Sequence, residues 1–136
     1  IIKPVMRSFV PDYIMCLIGF DAHYTDNQSN LQLTSNGDYE FVKRLKEMNN
    51  GQLCVVLEGG YNTAENVNLA HTIIYSLLGE PAPYDDRMDG LSHLVTQGVK
   101  TRSVLENKLI ELMDILEEYY DFKYDVYPPD MEKFKD

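Results

Sequence analysis

Gly19-Phe20-Asp21-Ala22-His23 closes one apolar run, Tyr13–Ile18 (Tyr-Ile-Met-Cys-Leu-Ile), and Glu58-Gly59-Gly60-Tyr61-Asn62 closes another, Leu53–Leu57 (Leu-Cys-Val-Val-Leu). Runs this short and this continuous, with a helical pattern between them, read as parallel strands covered on both faces. In open α/β sheets, ligands bind just beyond the carboxyl ends of the strands. Asp21 and Tyr61 both fall on that rim. If the two strands are neighbours, their spacing of roughly 4.8 Å puts the carboxylate and the phenol within reach of one small ligand. A metal-binding acid beside a hydrogen-bond donor suits hydrolysis.

Working outward, residues 1–9 read as a short helix with Pro4 in its first turn, broken at Val10-Pro11-Asp12. The polar stretch from Gly19 to about Asn36 is long for a compact α/β connection, and such loops are usually functional or disordered. Ser35 is expected to cap the next helix, with Asp38 favouring its amino end and Phe41, Leu45 and Met48 forming its buried face. Asn49-Asn50-Gly51 stops it. After the second strand, Asn62 with Glu65 resembles a capping box. Val67, Ala70, Ile74 and Leu77-Leu78 carry that helix to Gly79.

Pro81-Ala82-Pro83 marks a boundary, dividing a domain portion at 1–79 from an extension at 80–136. Ser103-Val104-Leu105-Glu106 has the form of a capping box. Leu105, Leu109, Leu112, Leu116 and Tyr119 follow at spacings of four, three, four and three residues, so one amphipathic helix is expected over 104–120. Its stripe lasts barely two heptads, too short for a coiled coil. The tail Asp121–Asp136 reads as a loop or arm.

At 136 residues, with 44% hydrophobic and 25% charged, the chain has the composition of one globular domain. A net charge of −10 argues against nucleic acid or an anionic membrane as partner, since both need clustered Lys and Arg. It favours basic partners such as Lys-rich peptides or polyamines, though acidity also simply keeps a protein soluble. No apolar run approaches the roughly 20 residues of a membrane span. Cys16 and Cys54 lie in strands and suggest no disulfide framework, so a reduced, cytoplasmic setting is expected. Two doubly covered strands do not make a sheet, and they leave apolar edges exposed. With Ile1 in place of an initiator Met, this points to a fragment whose sheet is completed by an upstream segment or another subunit.

The blocks from Phe9 to Asp26 (notably Gly19-Phe20-Asp21-Ala22-His23-Tyr24-Thr25-Asp26), with Leu33-Thr34 and Gly37, and Val55-Val56-Leu57-Glu58-Gly59-Gly60-Tyr61-Asn62, resemble the carboxyl-terminal part of the zinc-dependent histone deacetylase family. That family includes acetoin-utilisation proteins and acetylpolyamine amidohydrolases, and the resemblance covers about residues 1–79. It implies an α/β fold, here a C-terminal fragment of an arginase/deacetylase-like three-layer α/β/α architecture with a parallel sheet. It also implies hydrolysis of an acetylated lysine peptide or an acetylated polyamine at one zinc ion. By the resemblance, Asp21 is the last zinc ligand, and Tyr61 is the hydroxyl that stabilises the oxyanion. Gly59 and Gly60 let the backbone approach the acetyl group. Zinc would lower the pKa of its bound water and polarise the acetamide oxygen.

The family's Asp-x-His ligands and tandem His pair fall upstream of these residues, so the chain alone is expected to be inactive. Asn27 and Gln28 stand where the family often has Pro and a bulky apolar residue, giving the substrate tunnel a more polar wall.

Blander roles compete at each position. Asp21 has an alternative as a turn former, and Tyr61 as a ring packed over Gly59-Gly60. Asp26 reads as a loop hydrogen-bonder, His23 as no ligand, and His71 and His93 as ordinary helix or loop residues. Asp85-Asp86 and Glu117-Glu118 read as solvated charge. The rival function is a non-catalytic remnant or interaction module using the apolar face of the 104–120 helix.

Overall fold

Parallel pairing of the two apolar runs brings both rim loops to one end of a sheet. β1 (Ile14–Ile18) and β2 (Leu53–Leu57) run in register, from Ile14 opposite Leu53 to Ile18 opposite Leu57. The computed structural model describes residues 1–86, 88 and 99–120, the side chains of 99–102 excepted. The chain divides into two compact units, Asp12–Val95 and Ile1–Pro11 with Thr96–Asp136.

In the first of these, the order is β1, a single 3₁₀ turn at Phe20–Ala22, α2 (Ser35–Met48), β2 and α3 (Thr63–Leu78). Cys16 and Ile18 pack with Phe20, Val42, Leu45, Leu69 and Ile73 into one core cluster. Both helices thus contribute to the side of β1 on which its alternate residues are buried. The other side is bare, with Met15 66% and Leu17 59% exposed. Among the described residues the strands expected to be covered on both faces are covered on one, because α2 and α3 pack on the same face.

Local chemistry shifts several details. Thr34, not Ser35, caps α2, its hydroxyl accepting from the Gly37 N–H at 3.3 Å. Ser35 is instead the first helical residue and is buried, as are Asp38, Tyr39, Val42 and Leu45. Phe41 is exposed, and Met48 packs at the edge of the core. Asn49 ends the helix, and the Gly51 N–H closes it on the Lys46 carbonyl at 2.9 Å.

In α3, the buried residues are Leu69, Thr72, Ile73 and Ser76, whereas Val67, Ile74 and Leu78 face outward. That helix carries apolar residues on more than one side and buries Thr72 and Ser76 beside Leu69 and Ile73, so apolar periodicity alone does not say which face turns inward. Asn62 precedes α3 without a side-chain cap; its amide donates to the Thr25 carbonyl at 3.2 Å. Gly79 ends α3 in the left-handed conformation.

The second unit holds α1 (Ile2–Phe9), with Pro4 buried in its first turn and Val10 left-handed beyond its end, and α4 (Val99–Leu116). The helix expected over 104–120 begins five residues earlier and ends four earlier. Ser103 lies inside it, because the chain before Ser103 is already helical. Leu105, Leu109 and Leu112 are exposed. Asp121–Asp136 and His93 lie outside the described residues. Among the described residues, no helix is long and apolar enough to cross a membrane.

Candidate active-site rim

The strand ladder continues into the rim. Glu58 N–H donates to the Ile18 carbonyl at 2.9 Å, and Phe20 N–H to the Gly59 carbonyl at 3.2 Å. This locks the loop after β1 against the loop after β2. Gly59 and Gly60 take φ of +98° and +118°, a region that side chains rarely tolerate. A Cβ on Gly59 would stand 3.2 Å from Asp21 Oδ1, and one on Gly60 would stand 2.8 Å from Phe20 Cβ. The glycines are therefore needed for one loop to pack on the other. Asp21 is half-buried in the 3₁₀ turn, with its carboxylate against Gly59. Tyr61 follows directly and is 61% exposed.

Asp26 fastens the two loops together. Its Oδ2 accepts from the Tyr61 N–H at 2.7 Å and the Asn62 N–H at 3.0 Å, and its Oδ1 accepts from the Gln28 N–H at 2.8 Å. The side chain is buried. Backbone N–H groups, Gln28 foremost and then Tyr61, hold its carboxyl below the usual range against the opposing effect of burial. The long loop between them is pinned in turn where Tyr24 N–H donates to the Leu33 carbonyl at 2.9 Å.

Behind the rim sits a buried polar group whose members nothing in the local sequence joins. His23 is fully buried; its Nδ1 lies 2.8 Å from Thr25 Oγ1 and its Nε2 lies 3.2 Å from Asp86 Oδ2. The same Asp86 oxygen accepts from the Ser35 N–H at the start of α2. Asp86 is therefore not solvated charge, although Asp85 beside it is exposed. Burial is the largest single influence on Asp86, yet the Ser35 N–H and the His23 ring together hold its carboxyl low. Asp38, buried nearby with Oδ2 lacking a hydrogen-bond partner among the described residues, is pushed up to about 6 by desolvation, moderated by His23. No local signal joins Asp86 to a histidine 63 residues away. His71 is exposed, with Nδ1 2.9 Å from the Tyr84 hydroxyl.

Among the described residues, no group of three or more His, Cys, Asp or Glu side chains is placed to hold a metal ion. A zinc site takes three or four donors. The described residues alone therefore do not supply a zinc site. An open groove of about 630 Å³, lined by Tyr39, Lys43, Lys46, Ser76 and Gly79 among others, lies at the far ends of α2 and α3 and includes neither Asp21 nor Tyr61.

Two parallel strands with helices on one face fit a piece of the α/β deacetylase fold, the fold of the solved structures this chain matches. A crystal structure of the HDA15 HD domain matches 60% of this chain and 23% of its own, with 32% identity and a TM-score of 0.56. Residues 1–77 match the model of the histone deacetylase domain, and the chain belongs to that family. Histone deacetylase HDA1 of Saccharomyces cerevisiae is 36% identical over 92 residues, 68% of this chain and 13% of the yeast protein. Polyamine deacetylase HDAC10 of Homo sapiens is 29% identical over 83 residues, 61% of this chain and 12% of its own length. The chain thus spans about an eighth of these two relatives.

Proposed function

We propose that this chain supplies one rim of a zinc-dependent deacetylase site that hydrolyses acetylated amines, with the remaining metal donors coming from polypeptide outside these residues. Tyr61 donates its hydroxyl to the acetamide oxygen as the carbonyl becomes tetrahedral and negative charge gathers there. Gly59 and Gly60 present bare backbone beside it. Asp21 is one metal ligand. The observation that carries this reading is the packing of the Asp21 carboxylate on Gly59, two residues before Tyr61, at the carboxyl ends of paired parallel strands. A net charge of −10 suits a cationic substrate, either an acetyl-lysine peptide or an acetylated polyamine.

A graft tests the proposal. Residues 1–77 replace the matching segment of a family member's deacetylase domain, and the purified graft is offered both substrates. Retained hydrolysis that is lost on Asp21→Ala supports the reading. A folded graft that hydrolyses neither substrate contradicts it.

A second reading, an interaction module, rests on the exposed Leu105, Leu109 and Leu112 of α4. Deleting 99–120 with no effect on any association of the chain would remove it.

A further inference from the structure

Resting on the reading above, we infer that Asp26 is the positioning residue for Tyr61: by binding the peptide N–H groups on both sides of the Tyr61 Cα, it sets the direction from which the phenol is presented. Both bonds go to one oxygen, Oδ2, from Tyr61 N at 2.7 Å and Asn62 N at 3.0 Å. The N–H of residue 61 constrains rotation before the Cα and the N–H of residue 62 constrains rotation after it, so the pair restrains both backbone torsions of the residue between. Successive N–H groups converging on one anion form a concavity that favours negative charge. Here the anion is a side chain of the neighbouring loop.

The need for such a restraint follows from what precedes Tyr61. Gly59 and Gly60 are the least restricted residues in a chain. A tyrosine hung on that pair, with its side chain largely exposed, would sample many orientations. Catalytic donors act only when held near the position where charge develops. Three further contacts stiffen the frame around the restraint. Asn62 Nδ2 donates to the Thr25 carbonyl at 3.2 Å, Asn66 Nδ2 to the Gly60 carbonyl at 3.0 Å, and Gln28 N–H to the other Asp26 oxygen. Asp26 itself is buried, and the backbone N–H groups of Gln28, Tyr61 and Asn62 favour its charged form. Its partners are the backbone N–H groups of Tyr61, Asn62 and Gln28, and it acts through Tyr61.

Two measurements test this. In the full chain, hydrogen exchange at the Tyr61 and Asn62 amides should speed up about tenfold or more in Asp26→Asn, while the β2 amides change by less than about threefold. Equal acceleration at all amides would mean general unfolding, and unchanged exchange at 61 and 62 would mean the amides are not held; either overturns the role. Asp26→Glu, which keeps the charge but lengthens the arm, should show an intermediate effect. In the active graft, Asp26→Asn should lower kcat about tenfold with KM within about twofold, and should have no further effect once Tyr61 is Phe. An undiminished Asp26→Asn effect in the Tyr61→Phe background overturns the role. A folded but inactive graft overturns the deacetylase reading and this role with it, and the exchange result then describes loop architecture alone.

Discussion

His23 Nε2 lies 3.2 Å from Asp86 Oδ2, joining the rim loop after β1 to a segment beyond the end of α3. Asp86 also takes the Ser35 N–H, so one carboxylate serves a buried imidazole and the amino end of a helix. Carboxylates are favoured there by the unpaired N–H groups and the helix dipole.

Asp86→Ala would leave the His23 ring and the Ser35 N–H buried without that acceptor. A buried donor stripped of its partner costs about 1–3 kcal/mol, so urea denaturation should show a loss of about 2 kcal/mol. A loss below about 0.5 kcal/mol, the range of ordinary surface substitutions, would mean that the contact does not hold the segment.

Asp38 gives the fold a pH dependence of unusual sign. Burial raises its carboxyl to about 6, well above the ordinary carboxylate range, so the folded chain binds that proton more tightly than the unfolded chain. Stability from this group therefore falls as pH rises from about 4 through about 6, by roughly 3 kcal/mol at 1.36 kcal/mol per unit. Asp26 and Asp86, whose carboxyls are held low, act oppositely: their contribution is present above about 4 and is lost as pH falls through their folded values. Asp38→Asn should abolish the decline between pH 4 and 6 in a denaturation series. Persistence of that decline in the variant would assign it to another group.

The two glycine environments should respond with opposite signs. Gly60→Ala places a Cβ 2.8 Å from Phe20 Cβ at a φ of +118° and should cost about 2 kcal/mol or more through strain. Gly37, in the first turn of α2, has its nearest neighbours at 3.8 Å. Gly37→Ala should stabilise by roughly 0.5–1 kcal/mol. Thermal unfolding of the two variants checks both, and a common sign would contradict the loop geometry.

What was legible in the sequence followed the kind of signal involved. The runs Tyr13–Ile18 and Leu53–Leu57 read as parallel strands because they are short and bounded by turn residues, whereas their direct pairing is a property of the fold. The Gly-Gly-Tyr and Phe-Asp rim loops were likewise readable, since strand ends in α/β sheets carry ligands. Helix faces were harder. α3 has apolar residues on more than one side: Leu69 and Ile73 are buried, with Ala70 and Leu77 packed at the edge of the core, whereas Val67, Ile74 and Leu78 are exposed. α2 buries Ser35 and Asp38 beside Val42 and Leu45, a mixed face that a search for apolar periodicity skips in favour of Phe41. The Ser103 capping box failed for a related reason, since a cap marks a helix start only where the preceding chain is not helical. Asp86 was invisible because its partner is supplied by tertiary folding and not by neighbouring sequence. Asp26 is a loop hydrogen-bonder as its setting suggests, and only the fold supplies two of the amides it binds, 35 and 36 residues away.

The account turns on Asp21 and Tyr61 serving one reaction, and kcat of the graft with Tyr61→Phe tests it most directly. Removing a donor to a developing oxyanion typically lowers kcat about 10²–10³-fold. A fall of that size, with KM within about threefold and zinc content unchanged, is the expected result. An unchanged kcat in a folded, metal-loaded graft would place Tyr61 outside the chemistry and contradict the proposal.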